Sequence, residues 1–395
     1  MFMTNHREFV ALMAMLIGLS ALAIDIMLPA LPIIAHDYAL TPPESAQQAL
    51  TIFFLGFGLG QLFVGPLSDR WGRKPILFWG TLIYIVSALA AIFSDNFDQL
   101  MICRFFQGVG AAAPRVMAVA IIRDCHTGRM LGRVMSLSIM TFLFIPVVAP
   151  ALGQTILTFS HWRYIFAALA LGGMVAMVWA NIRLKETLET KQSLHWRTLW
   201  TNTKTVLGHH QTFTYMFSAS CVLGTLFSYL ASSAYILGIH FDLGTLFPYA
   251  FGLQALGMMA GSFLNARLVV KFGLKNVSHY ALAIYMFCGM SIFFIDISYP
   301  HSFWAFYILS SCQLMTFTFI MSNFNSLSLD PHGKMGGLAS SLVSATTTTL
   351  GGCIAWSGSL LPITSPWQVG MIVFAGAFAA AIIIAGVRIM RRLAL

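Results

Sequence analysis

Gly65-Pro66-Leu67-Ser68-Asp69-Arg70-Trp71-Gly72-Arg73-Lys74-Pro75 lies between two long apolar runs, and its reading decides the fold. A segment with one acid, three bases and two glycines, set between stretches long enough to cross a bilayer, reads as a tight charged turn on the positive side of a membrane. Lys and Arg alone would hold the flanking spans in orientation. The paired Gly65 and Gly72 and the acid Asp69 exceed that need.

Composition agrees. Of the 395 residues 58% are hydrophobic and only 9% charged, against about 25% charged in soluble domains. No soluble fold of this length covers its surface with so few charges. The net charge of +9 does not indicate nucleic acid, because the bases fall in short loops between apolar runs. A span needs about 20 mostly apolar residues. Twelve such runs occur, near 9–34, 47–67, 75–93, 98–121, 133–157, 163–183, 213–238, 245–269, 278–297, 303–327, 337–361 and 367–388. The first follows Arg7 but is too long for a secretory signal core, carries Asp25 and Pro29 and lacks a clear cleavage site, so it is read as a retained span. With both termini cytoplasmic, every Lys and Arg except Arg104, Arg115 and Arg163 falls on the cytoplasmic side. Asp37, Glu44, Asp95, Asp98, Asp242 and Asp296 lie in outer loops. One missed span would scramble that asymmetry.

The longest polar stretch, from Arg183 to Gln211, divides the chain. It predicts a six-helix bundle over 1–183, a cytoplasmic linker over 184–212 and a second six-helix bundle over 213–395. Within the linker, Leu194 to Trp200 is amphipathic and suits a helix lying on the membrane surface. The halves show a faint repeat: Gly60 and Gly72 match Gly261 and Gly273, Arg70 matches Lys271 and Lys74 matches Lys275, all at an offset of 201. Asp69 falls on Val270, so the second copy has no acid there. The expected fold is an all-α membrane protein of twelve transmembrane helices in two pseudo-symmetric halves around a central cavity.

The six cysteines show no ligand spacing, and all eleven histidines lie in loops or at helix ends. No metal site and no cofactor is expected. Nucleotide-binding and zinc-hydrolase motifs are absent, which argues against an ATP-driven pump and against an enzyme. Three ionisable residues sit well inside spans: Asp25, Arg104 and Arg115. A charge at that depth costs at least a few kcal/mol, so each is a functional candidate. Burial favours the neutral form of Asp25 and a nearby arginine favours the charged form, a balance that suits binding and release of a proton. The alternative is a static Asp25–Arg104 ion pair locking two helices. Along the fourth span Arg104, Gln107, Gly108, Ala111 and Arg115 share one face, with small residues that admit a neighbouring helix. The fifth span carries Pro146, Pro150 and Gly153, which predicts a kinked, closely packed helix. Tyr229, Tyr235, Gln254, Asn323 and Asn325 are polar or amphipathic candidates for the substrate cavity, beside Gln107 and Arg115.

The 65–75 stretch resembles the signature between the second and third helices of the major facilitator superfamily. Arg104-x-x-Gln107-Gly108 resembles a second signature of that superfamily, and Pro146 to Gly153 resembles the motif of its exporter branches, with Ala149-Pro150 where Gly-Pro is usual. Asp25 to Pro32, Arg123-Asp124, Lys185 to Leu188 and Gly337 to Leu342 extend the likeness over nearly the whole chain, and together they resemble the bicyclomycin/chloramphenicol-resistance (Bcr/CflA) type of drug:proton antiporter. The resemblance implies a multi-pass protein of the bacterial inner membrane, expected as a monomer, that exports small amphipathic drugs in exchange for protons. Its partners would be a small-molecule substrate, protons and the lipid bilayer, with no nucleic acid. Asp25 and Arg104 are read as the proton-coupling pair from their depth in the spans. Gly65, Asp69, Arg70, Gly72, Arg73 and Asp124 would form a conformational latch, with Asp69 facing the start of the eleventh span near Gly336. The alternatives are a dedicated exporter of a native metabolite such as a siderophore, or a membrane sensor that does not transport.

Overall fold

The computed structural model describes residues 6–188, 196–361 and 363–393. Among them the regular structure is helical throughout. The chain divides into two compact units, Met1–His195 and Trp196–Leu395, at a point inside the 184–212 stretch.

The first unit holds α1 (His6–Asp25), the short α2 (Leu31–Asp37), α3 (Gln48–Trp71), α4 (Arg73–Ile92), α5 (Phe97–Cys125), α6 (Gly128–Phe159) and α7 (Arg163–Arg183). α5 packs on α3, α4 and α1, while α1 also meets α6 and α7, and α4 meets α7. The second unit holds α8 (Trp196–Gly208), α9 (His210–Ser233), α10 (Phe247–Phe272), α11 (Leu274–Ser298), α12 (Phe303–Leu329), α13 (Gly336–Ser359) and α14 (Pro366–Leu393). There α12 packs on α10, α11 and α9, α9 also meets α13 and α14, and α11 meets α14. Each pairing of the first unit thus has a counterpart in the second. Ten helices among the described residues are long and apolar enough to cross a membrane, and Phe144–Phe159 of α6 is a shorter apolar helix.

Three local features differ from the sequence reading. The 65–75 stretch is almost entirely helical. α3 runs to Trp71, α4 begins at Arg73, and only Gly72 turns the chain, with φ of 107°. A side chain at that φ is strained, and a Cβ there would also collide with the Glu186 carboxylate. The first span is interrupted: α1 stops at Asp25, one 3-10 turn covers Leu28–Ala30, and α2 restarts at Leu31. Pro29 has no N–H to give the Asp25 carbonyl and Pro32 none for Leu28, which explains the break. The seventh run ends in a wide π-type turn over Ala234–His240. In the linker, α8 begins at Trp196; Leu194 and His195 lie outside the described residues.

Close helix contact rests on small residues. A Cβ on Gly60 of α3 would strike Val109 and Ala112 of α5, and one on Gly261 of α10 would strike Met315 and Thr318 of α12. Val109 and Ala112 map onto Met315 and Thr318 at an offset of 206, as Gly60 maps onto Gly261 at 201. On α6, Gly153 lies against the Ile26 carbonyl and the Pro29 ring, so the proline–glycine stretch packs on the break in the first span.

Candidate functional site

Asp25 ends α1 where Pro29 breaks the helix, and it is 3% exposed. Its carboxyl makes no hydrogen bond or ion pair with any described residue. Arg104, on α5, is fully buried. Its Nε donates to the Ala49 carbonyl at 3.1 Å, one terminal nitrogen to Gln107 Oε1 at 2.6 Å, and the other to the Ala23 carbonyl at 3.2 Å. Its guanidinium also lies over the Phe53 ring, 4.4 Å from the centroid. Arg104 therefore spans α1, α3 and α5 through two carbonyls, an amide and an aromatic face. The static Asp25–Arg104 ion pair is not formed. Ala23 is two residues before Asp25, so the arginine sits beside the acid's own helix end and bonds its backbone instead.

Gln107 is fully buried, with its carbonyl on Arg104 and its Nε2 without a partner. Arg115 is half-buried further along α5, with its guanidinium 5.7 Å from the Phe57 centroid. The second unit fills the corresponding places differently. Phe53 and Arg104 map onto Gln254 and Ser310 at the two offsets, and there Gln254 Nε2 donates to Ser310 Oγ at 2.8 Å. The Tyr229 hydroxyl donates to Gln254 Oε1, completing a buried chain across α9, α10 and α12. Asn323 exchanges two amide hydrogen bonds with Asn265, at 3.0 and 3.2 Å. Tyr235 is buried in the wide turn after α9. Asn325 is exposed and joins neither cluster, so it stands apart from the other cavity candidates.

At the basic end of the first unit, Arg73 binds Asp69 at 2.5 Å and Asp124 at 3.0 Å and donates to Ser68 Oγ at 2.7 Å. Ser68 Oγ in turn donates to the Gly65 carbonyl at 2.8 Å. Gly65, Asp69, Gly72, Arg73 and Asp124 are thereby brought together. Arg70 is exposed, with its guanidinium 5.9 Å from the Trp71 ring centroid. Gly336 opens α13 in the second unit.

Sequence reasoning missed the residue that caps this cluster. Glu186, just beyond α7, accepts the backbone N–H groups of Arg73 and Lys74 at 2.9 and 3.1 Å, satisfying the open first turn of α4. Thr187 adds a bond to Asp124 at 3.0 Å, and Lys74 Nζ reaches the Asn181 carbonyl at 2.8 Å. Burial would raise the Glu186 carboxyl, but the N–H donors of Leu188, Arg73, Lys74 and Thr187 hold it below its ordinary 4.5. The signal was Lys185-Glu186-Thr187 directly after an apolar run, although nothing local named its target.

A helical membrane protein that buries an acid, an arginine and an amide within its spans, over a cluster of charges at one end, has the make-up of a transporter. The sequence profile of the Major Facilitator Superfamily matches residues 13–356, and the chain belongs to that superfamily. It is a membrane transporter and not an enzyme. It is 32% identical over 363 residues to the bicyclomycin resistance protein homolog of Haemophilus influenzae, a match covering 89% of this chain and 88% of that protein. It is 26% identical over 352 residues to the multidrug resistance protein MdtL of Shewanella oneidensis, covering 87% and 86%. These relatives agree with the drug:proton antiporter branch that the motifs resemble. The crystal structure of a D-xylose-proton symporter superposes with a TM-score of 0.73 over 95% of both chains at 14% identity, a likeness of fold alone.

Proposed function

We propose that this chain is a proton-driven antiporter that exports small amphipathic compounds by alternating access. It would sit as a monomer in a bacterial inner membrane, with twelve spans, two pseudo-symmetric halves and both termini cytoplasmic. The observation that carries the proposal is Asp25, a buried carboxyl in a span with no partner among the described residues, beside an arginine that is engaged elsewhere. An ionised acid so placed costs several kcal/mol, whereas the neutral acid costs little. Asp25 thus holds a proton in this arrangement and gives it up when water or Arg104 reaches the carboxylate. Moving one charge through 100 mV is worth about 2.3 kcal/mol, which supports a substrate gradient of roughly fifty-fold per proton.

In this reading Arg104 and Gln107 set the surroundings of Asp25, while Arg115 and the Tyr229–Gln254–Ser310 chain offer polar anchors for substrate. The names of the relatives point to bicyclomycin-like and other drug-sized compounds. The test is flux in proteoliposomes of known orientation, with bicyclomycin, chloramphenicol and a lipophilic dye as substrates. An imposed pH gradient drives uphill movement of at least one of them, and an ionophore that collapses the gradient stops it. Movement that is blind to the gradient overturns proton coupling, and no movement of any compound overturns export of this class.

A further inference from the structure

Tyr84 lies in the middle of α4 and was not singled out by charge or motif. It is fully buried, and its hydroxyl has no hydrogen-bond partner among the described residues. The backbone of Tyr84 meets Gly110 on α5, and its ring lies against Gly173 on α7. One turn before Gly110, Gln107 has its carbonyl on Arg104 and its Nε2 idle. Two idle polar groups in one packed core call for a partner that is missing in this arrangement.

The second unit pairs the corresponding residues. Tyr84 maps onto Tyr285 at the offset of 201, which also relates the positive-φ turns at Gly72 and Gly273 and the first residues of α4 and α11. Gln107 maps onto Gln313 at the offset of 206, which relates the contacts made by Gly60 and Gly261. In that unit Gln313 Nε2 approaches the Tyr285 hydroxyl at 3.5 Å, the hydroxyl is also paired with Thr225 Oγ1 at 2.7 Å, and Gln313 Oε1 is idle. Ser310 replaces the arginine there and is engaged with Gln254. Where no guanidinium claims its carbonyl, the glutamine turns its amino group to the tyrosine. Where Arg104 does claim it, the tyrosine is left alone.

We propose that Tyr84 is a positioning residue of the Asp25–Arg104 site: its hydroxyl takes up the Gln107 amide when Arg104 releases it, so that the guanidinium can turn to an ionised Asp25. The inference rests on the proton-coupling reading. Midway through the spans, the ionisable groups on the elements around Arg104 are Asp25 on α1, Tyr84 on α4, and Cys103 and Arg115 on α5; α3, α6 and α7 contribute none at that depth. α3 and α7 instead place the Phe53 and Phe166 rings on the guanidinium.

The experiment is substrate-induced proton release from the purified full chain, followed with a pH dye across a range of pH, on Tyr84→Phe, Tyr285→Phe, Asp25→Asn and the parent. Tyr84→Phe removes an idle buried hydroxyl and keeps the ring, so its melting temperature equals or exceeds that of the parent. The state with ionised Asp25 loses a support, so protons are held to higher pH and the midpoint of release moves up by at least half a pH unit. Tyr285→Phe lowers the melting temperature, because Thr225 and Gln313 lose their partner, and leaves the midpoint in place. A Tyr84→Phe profile that superimposes on the parent overturns the inference. So does an equal shift in Tyr285→Phe, which would reduce the effect to a general loosening. Proton release that persists in Asp25→Asn would instead sink the coupling reading itself, so the two failures are separable. If Tyr84→Phe is not recovered folded, the prediction that its hydroxyl is idle is wrong and the inference falls with it.

Discussion

Arg104 carries its charge into the first unit without an ion pair among the described residues, and it is held by two carbonyls, one amide and an aromatic face. Those contacts join three helices, so losing the side chain breaks three buried hydrogen bonds at once. Arg104→Ala should cost about 2–3 kcal/mol of stability, the scale of a charge-assisted buried hydrogen bond, measured by thermal unfolding in detergent. Asp25 has no partner to lose. Asp25→Asn should change stability by less than about 1 kcal/mol yet abolish uphill, gradient-driven efflux. An Asp25→Asn protein that pumps like the parent would remove Asp25 from the coupling step. Both residues were legible in the sequence because a charge inside an apolar run stands out. Their lack of a mutual bond was not legible. It follows from Pro29, which ends α1 at the acid, and from the Ala23 and Ala49 carbonyls, which no sequence pattern advertises. Tyr84 was invisible for a simpler reason: a tyrosine among apolar residues looks like packing.

Helix ends show the same division. α4 starts abruptly after Gly72, and its first N–H groups have no cap from their own stretch of chain. Glu186 supplies it from more than a hundred residues downstream, which also fastens the segment after α7 to the α3–α4 turn. Reading the 65–75 stretch as a loop was reasonable from its charges. α3 nonetheless continues past Pro66 to Trp71, with Ser68 Oγ bonded back to the Gly65 carbonyl, and one glycine sufficed to turn the chain. Glu186→Gln keeps the shape of the cap and removes its charge, so it should cost about 1 kcal/mol at neutral pH, the scale of a lost cap. The carboxyl sits below 4.5 in the folded protein. Its contribution is therefore complete above that value and is lost as pH falls through the lower folded one. The gap between variant and parent melts should be full at pH 7 and should narrow in strongly acidic buffer. A gap independent of pH would mean that Glu186 acts through shape alone.

For the whole molecule, the apolar runs fall on helical structure, with breaks in the first and a wide turn ending the seventh, because burial in lipid leaves a backbone few other choices. What the runs could not convey is how the charges at the basic end are paired. Positive-inside sorting reads Lys and Arg and takes little from acids. Arg73, however, is held between Asp69 and Asp124, two carboxylates on different helices, an arrangement that sorting does not require. If this cluster is a latch, removing an acid should alter turnover and spare orientation. Asp69→Asn should insert as the parent does, judged by cysteine labelling from each side, while the initial rate of gradient-driven efflux changes several-fold. A shift of only about 1 kcal/mol between two states moves their ratio about five-fold. Arg73→Ala should be more severe, since it frees both carboxylates and leaves like charges facing each other. Arg70 supplies the control: it is exposed and forms no ion pair among the described residues, so Arg70→Ala should leave the rate near that of the parent. Should all three variants transport alike, the cluster only orients the chain in the membrane. A rate that falls in Arg73→Ala and Asp69→Asn but not in Arg70→Ala separates the latch from the charge count.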